Sequence, residues 1–161
     1  MRLSAILVVL SCSGLFGGCA NPNFLVVGQS TIEEVRARMG TPTDTRVDRN
    51  GDQLWEYATG PEGFETHRVR IGADGKVKDV TRLLTEEQLA NVIPGRMTRN
   101  EVRDLFGRPS DETTYSTGLT WSWRFRQGGM QPGFLVVTFN PDGTVKDKFM
   151  LIDPSCDSRN N

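Results

Sequence analysis

The stretch Gly95-Arg96-Met97-Thr98-Arg99-Asn100-Glu101-Val102-Arg103-Asp104-Leu105-Phe106-Gly107-Arg108-Pro109 reads as one complete helix with both ends marked. Thr98 stands where an N-cap is wanted, and Glu101, three residues on, can return its carboxylate to the cap's own N–H. Val102, Leu105 and Phe106 fall at helical spacing and form one apolar stripe. Gly107 supplies the left-handed residue that closes such a helix, and Pro109 forbids its continuation. The chain has already used this design once. Gly28, Thr31, Glu34, Val35, Gly40 and Pro42 precede Gly95, Thr98, Glu101, Val102, Gly107 and Pro109 at a constant offset of 67 residues, with Ile32, Val35 and Met39 as the apolar set. The expected organisation is two tandem units over 28–83 and 84–153, the first a degraded copy.

Each helix is followed by strand signals. In the first unit Trp55 and Tyr57 alternate along one strand, His67, Val69 and Ile71 share one face of a second, and Asp74-Gly75 turns the chain into a third ending near Leu83. In the second unit Trp121 and Trp123, residues 134–139 and residues 144–152 repeat the pattern, with Asp142-Gly143 at the hairpin; the last strand is the more apolar at its end. Thr85 and Gln88 form a further capping box ahead of Leu89 and Val92, predicting a short extra helix before the second unit. The fold class expected is α+β, each unit packing short helices on a three-stranded antiparallel sheet.

The chain starts with Met1-Arg2 and an apolar run over 3–10 that is too short to span a bilayer, the form of a secretion signal. Phe16-Gly17-Gly18-Cys19 resembles a lipobox. That resemblance implies cleavage after residue 18, lipid on Cys19, a tether over 19–27 and, with Ala20 rather than aspartate next to the cysteine, the outer membrane as destination. The alternative is an ordinary secretory signal with Cys19 as a plain thiol. Lipidation is preferred because an odd cysteine at the start of an exported chain otherwise lacks a role. Without residues 1–18 the chain has 18 basic and 20 acidic residues, a balance that does not point to nucleic acid. The remaining cysteine, Cys156, sits in the polar tail 154–161 as a free thiol or an intermolecular bridge.

The inventory for catalysis is poor. His67 is the single histidine and lies among strand apolars, so it reads as a structural histidine. No second histidine exists to build a zinc site, and no nucleophile-elbow motif is present. No enzyme activity, cofactor, metal or small-molecule substrate is expected.

The pattern Gly-x-x-Thr-x-x-Glu-Val-x-x-x-Phe-Gly-x-Pro, then Trp121, Trp123, Phe125-Arg126-Gln127, a Gly/Pro loop and Phe139-Asn140-x-Asp142-Gly143, resembles the SmpA/OmlA or BamE-like small outer-membrane lipoproteins. The resemblance covers nearly all of 85–154. It implies a lipid-anchored, periplasm-facing accessory factor of the machinery that inserts β-barrel proteins, with outer-membrane assembly proteins as partners. The tandem arrangement also resembles the secreted β-lactamase inhibitor proteins, which implies a protein-binding inhibitor as the alternative. Two sets of residues are candidate contacts. Trp121 and Trp123 are either an aromatic surface for a partner or, preferably, sheet core; Arg68 and Arg70 are either contacts for anionic lipid or, preferably, a solvated sheet face.

Overall fold

Three threonines start the three α-helices found among the described residues. Thr31, Thr85 and Thr98 each accept from the N–H three residues on while Glu34, Gln88 and Glu101 return to the cap's N–H, heading α1 (Ile32–Met39), α2 (Glu86–Ala90) and α3 (Arg99–Phe106). The computed structural model describes residues 22–59, 64–127 and 131–153; Cys19 with the signal segment, and Cys156 with the tail, lie outside them.

Gly40 and Gly107 follow α1 and α3 with φ of 75° and 77°. The positive φ agrees with the sequence expectation, but ψ of −151° and −164° puts both outside the left-handed helical basin. They occupy a region that is essentially glycine-only, a stricter demand than an ordinary helix stop makes.

Each sheet has four strands, not three. Sheet 1 is β1 (Asp44–Val47), β2 (Gln53–Thr59), β3 (Glu65–Ile71) and β4 (Val77–Leu83), and sheet 2 is β5 (Asp111–Tyr115), β6 (Gly118–Gln127), β7 (Gln131–Phe139) and β8 (Val145–Ile152). Both are antiparallel meanders in chain order. The missed strands are Asp-Thr-Arg-Val and Asp-Glu-Thr-Thr-Tyr, edge segments with no run of alternating apolar residues. Their pairing comes from the ladder offered by β2 and β6, a tertiary gain that local pattern does not carry.

The glycine that opens each motif ties the helix start to the hairpin of its own sheet. Gly28 N–H donates to the Val77 carbonyl (2.8 Å), Val77 N–H to Ser30 (2.9 Å) and Ile32 N–H to Gly75 (3.0 Å). In the second unit Gly95 donates to Val145 (2.8 Å), Val145 to Met97 (2.7 Å) and Arg99 to Gly143 (2.9 Å). The Gly-x-x-Thr and Asp-Gly segments are thus halves of one joint.

Val35 and Met39 of α1 pack on Trp55, Tyr57, Val69, Ile71 and Val77. Val102 and Phe106 of α3, with Leu89 of α2, pack on Trp121, Trp123, Phe125, Leu135, Val137 and Phe139. The opposite face of sheet 1 meets α3 through charged groups, so α3 lies between the two sheets. The order of layers is α1, sheet 1, α3 with α2, and sheet 2. The outer face of sheet 2 ends the stack, with Tyr115, Phe149 and Leu151 exposed.

Candidate interaction surfaces

The far face of sheet 1 presents Asp44, Arg46, Glu56, Arg68 and Arg70, because these alternate with the residues that face α1. Glu56 is 1% exposed. Its Oε1 accepts from Arg68 at 2.8 and 3.2 Å, and its Oε2 from Arg103 (3.2 Å) and the Arg108 backbone N–H (2.9 Å). Arg103 also pairs with Asp44, and Arg46 with Asp104. Arg46 and Arg68 donate to the Arg103 carbonyl, and Arg68 to that of Asp104, so cations sit at the negative end of the α3 dipole. Burial pushes the Arg68 pKa below its ordinary value, and the hydrogen bond and charge of Glu56 oppose that shift. The cluster is a charge-balanced adhesive between the units.

Arg68, a candidate lipid contact by sequence, is therefore buried and engaged inside the molecule; it does not face solvent. Arg70 is half-exposed and paired with Asp48 (2.6 Å). Trp123 is buried, donates its indole N–H to the Gly107 carbonyl (3.2 Å), and meets Phe106 edge-on at 5.4 Å. Trp121 stacks edge-on against Trp123 (6.0 Å) and Phe139 (4.9 Å). Both tryptophans are sheet core. The other motif residues do their work within the fold: Thr31, Glu34, Thr98 and Glu101 as caps, Gly28, Gly40, Gly95 and Gly107 at positive φ, and Val35 and Val102 fully buried. Pro109 is buried and Pro42 half-buried after their glycines.

His67 is half-buried opposite Tyr57 and Arg82, with Nε2 3.8 Å from Glu65. Burial lowers its pKa below the ordinary 6.5; Glu65 pulls the other way and Arg82 adds to the lowering. An unfolded chain then takes up the proton before the fold does, so stability falls as pH drops through 6.5 towards the folded-state value. Thermal melts from pH 7.5 to 5.5 should show a falling midpoint, and His67→Gln should flatten the part of that fall contributed by the imidazole. Identical pH slopes for the two proteins would remove the argument.

Among the described residues no group of three or more His, Cys, Asp or Glu is placed to hold a metal ion. No described helix is long and apolar enough to cross a membrane.

The second unit, with its double-capped helix, aromatic strand and Asp-Gly hairpin, is the part that a known family recognises. Residues 82–148 match the family model described as "Outer membrane protein assembly factor BamE domain". The second unit is BamE-like. The match begins at the end of β4, includes α2 and α3, and stops within β8. That description is of a domain of an outer-membrane protein assembly factor. No curated protein matches the sequence. A solved structure, a DUF4309 family protein (YjgB) from Bacillus subtilis subsp. subtilis str. 168, aligns at 16% identity and a TM-score of 0.31 over 81% of this chain and 83% of that one. At that TM-score the likeness bears on neither site nor function.

Two features are decided only in three dimensions. The Glu56 cluster shows in the sequence only as the strand face that carries Arg68 and Arg70, because its partner helix is contributed by the other unit. The run Phe149-Met150-Leu151-Ile152, the apolar end of the last strand, is exposed throughout at the edge of the BamE-like sheet.

Proposed function

We propose that this chain is a non-enzymatic lipoprotein of the outer membrane, anchored through lipid on Cys19 and facing the periplasm, where it serves as an accessory factor in the assembly of β-barrel proteins. The observation that carries this reading is the BamE match over 82–148, the unit that holds the complete helix-and-sheet motif. The lipobox-like Phe16-Gly17-Gly18-Cys19 supports the anchor. The partners would be other subunits of the assembly machinery. Residues 28–83 are in this reading a second, diverged copy of the same unit; the three paired hydrogen bonds at Gly28 and Gly95 favour that.

An acyl chain contributes about 0.8 kcal/mol per buried methylene, and more than one chain is needed for stable anchoring, which a triacylated cysteine supplies. The wild type should take up a palmitate analogue and stay with membranes in high salt, while Cys19→Ser should take up none and persist as uncleaved precursor. A wild type that takes up no label and fractionates as soluble would defeat the anchor. Affinity capture from detergent-solubilised outer membranes should bring down barrel-assembly subunits. Recovery of a single periplasmic enzyme would instead favour the inhibitor reading.

A further inference from the structure

The two sheets leave four edge strands, β1, β4, β5 and β8. An open edge offers unpaired backbone groups to any passing strand, and charged side chains are the usual protection. The strand β1 carries Asp44 and Arg46, β4 carries Lys78, Asp79 and Arg82, and β5 carries Asp111 and Glu112. The first half of β8 is protected in the same way by Lys146, Asp147 and Lys148. Its second half is not. Phe149, Met150, Leu151 and Ile152 follow one another at 42%, 49%, 51% and 57% exposure.

The ladder fixes which of their backbone groups are available. Asp153 N–H donates to the Pro132 carbonyl (3.1 Å), and bonded and non-bonded pairs alternate along an antiparallel ladder. At Gly133↔Ile152 and Leu135↔Met150 the peptide groups of Ile152 and Met150 therefore point away from β7. No strand among the described residues pairs with that side. Next to the edge both flanks are apolar. Phe149 and Leu151 border a cleft of about 440 Å³ on the outer face, with Phe134 and Val136 of β7 beside them and the polar Thr120, Ser122 and Thr113 farther from the edge. Met150 borders one of about 320 Å³ on the inner face with Leu89 and Leu135.

We propose that the second half of β8 is a self-association edge, and that its occupant is β8 of a second copy of this chain, joined antiparallel about a two-fold axis at Met150. The hydrogen-bonding row requires a strand, and apolar flanks on both faces require that strand to be apolar on both faces. Strands of membrane barrels alternate apolar with polar residues and would set polar groups against one flank. The run 149–152 is itself apolar on both sides. In this register Phe149 lies beside Leu151 of the second copy, and Met150 opposes Met150. Lys148 opposes Ile152. Its ammonium is held by the Leu89 and Ala90 carbonyls (2.7 and 3.3 Å), which leaves its aliphatic stem for the isoleucine. The pairing forms about six backbone hydrogen bonds. This inference goes beyond the proposed function and does not depend on it.

The test uses the full chain with Cys156→Ser, so that the tail thiol cannot contribute. Adding Met150→Cys and oxidising the purified chain should give a disulfide-linked dimer on a non-reducing gel, since residues of a bonded pair lie about 5.5 Å apart at Cα. Lys148→Cys should not cross-link, because two copies of residue 148 lie roughly 14 Å apart in this register. In detergent, sedimentation of the Cys156→Ser parent should show a concentration-dependent dimer that Leu151→Lys abolishes, with the melting midpoints of the two proteins equal at concentrations where the parent is monomeric. Equal cross-linking at both positions would overturn the register, and a monomer with no Met150→Cys cross-link would overturn the proposal. So would a monomer whose β8 instead captures a synthetic strand of about ten alternating apolar and polar residues.

Discussion

Gly107→Val is expected to remove on the order of 4 kcal/mol or more of stability, a loss at the far end of what single substitutions do. Two costs add there. The backbone at φ 77° and ψ −164° is one that a β-branched residue does not adopt, worth about 1–3 kcal/mol. A Cβ at this position would also stand 2.7 Å from Glu56 Oε2 and 2.9 Å from Leu83 Cδ1, driving into the buried charge cluster between the units. Gly40 has a nearly identical backbone but no atom within 4 Å of its absent Cβ. Gly40→Val should therefore show the conformational cost alone, about 1–3 kcal/mol. Denaturant melts of the two variants measure the difference. Equal losses would mean that the backbone sets the whole cost and that the approach to Glu56 contributes nothing.

The sequence ranks these two glycines in the same order for a different reason, the greater completeness of the second motif. That contrast marks the limit of what local pattern carries. Helix ends were legible because Thr31, Thr85 and Thr98 find their partners three residues away, and a capping box is a short-range object. The hairpins at Gly75 and Gly143 were legible for the same reason. The edge strands β1 and β5 were not, since Asp44–Val47 and Asp111–Tyr115 become strands only when β2 and β6 offer a ladder.

The candidate contacts divide along the same line. Trp121 and Trp123 alternate on an amphipathic strand, and the favoured reading of core follows from period alone. Arg68 alternates out of the core of its own sheet, and no local pattern reveals that α3, about 35 residues further on, will cover it. A charged strand face looks the same in a sequence whether water or a helix lies on it.

Glu56→Ala should cost about 3–5 kcal/mol, the usual result of removing one member of a buried ion cluster, because the guanidinium of Arg68 stays buried after losing its carboxylate. For a chain of this size that is a fall in melting midpoint of roughly 10 °C or more. The loss should appear as one shifted transition. Glu56 belongs to sheet 1, while Arg103, Arg108 and the helix end that Arg68 caps belong to the BamE-like unit, so the cluster cannot loosen in one unit alone. Glu56→Gln separates charge from shape: a neutral amide still fits but leaves three arginines facing two carboxylates, Asp44 and Asp104, and should recover little of the loss. Adding Arg68→Met to Glu56→Gln removes the stranded cation and should restore part of the stability, the sign expected when an unpaired buried charge is the main cost. Calorimetry of Glu56→Ala that resolves two transitions, with the BamE-like unit melting at the wild-type temperature, would establish two independent bodies and refute the shared cluster.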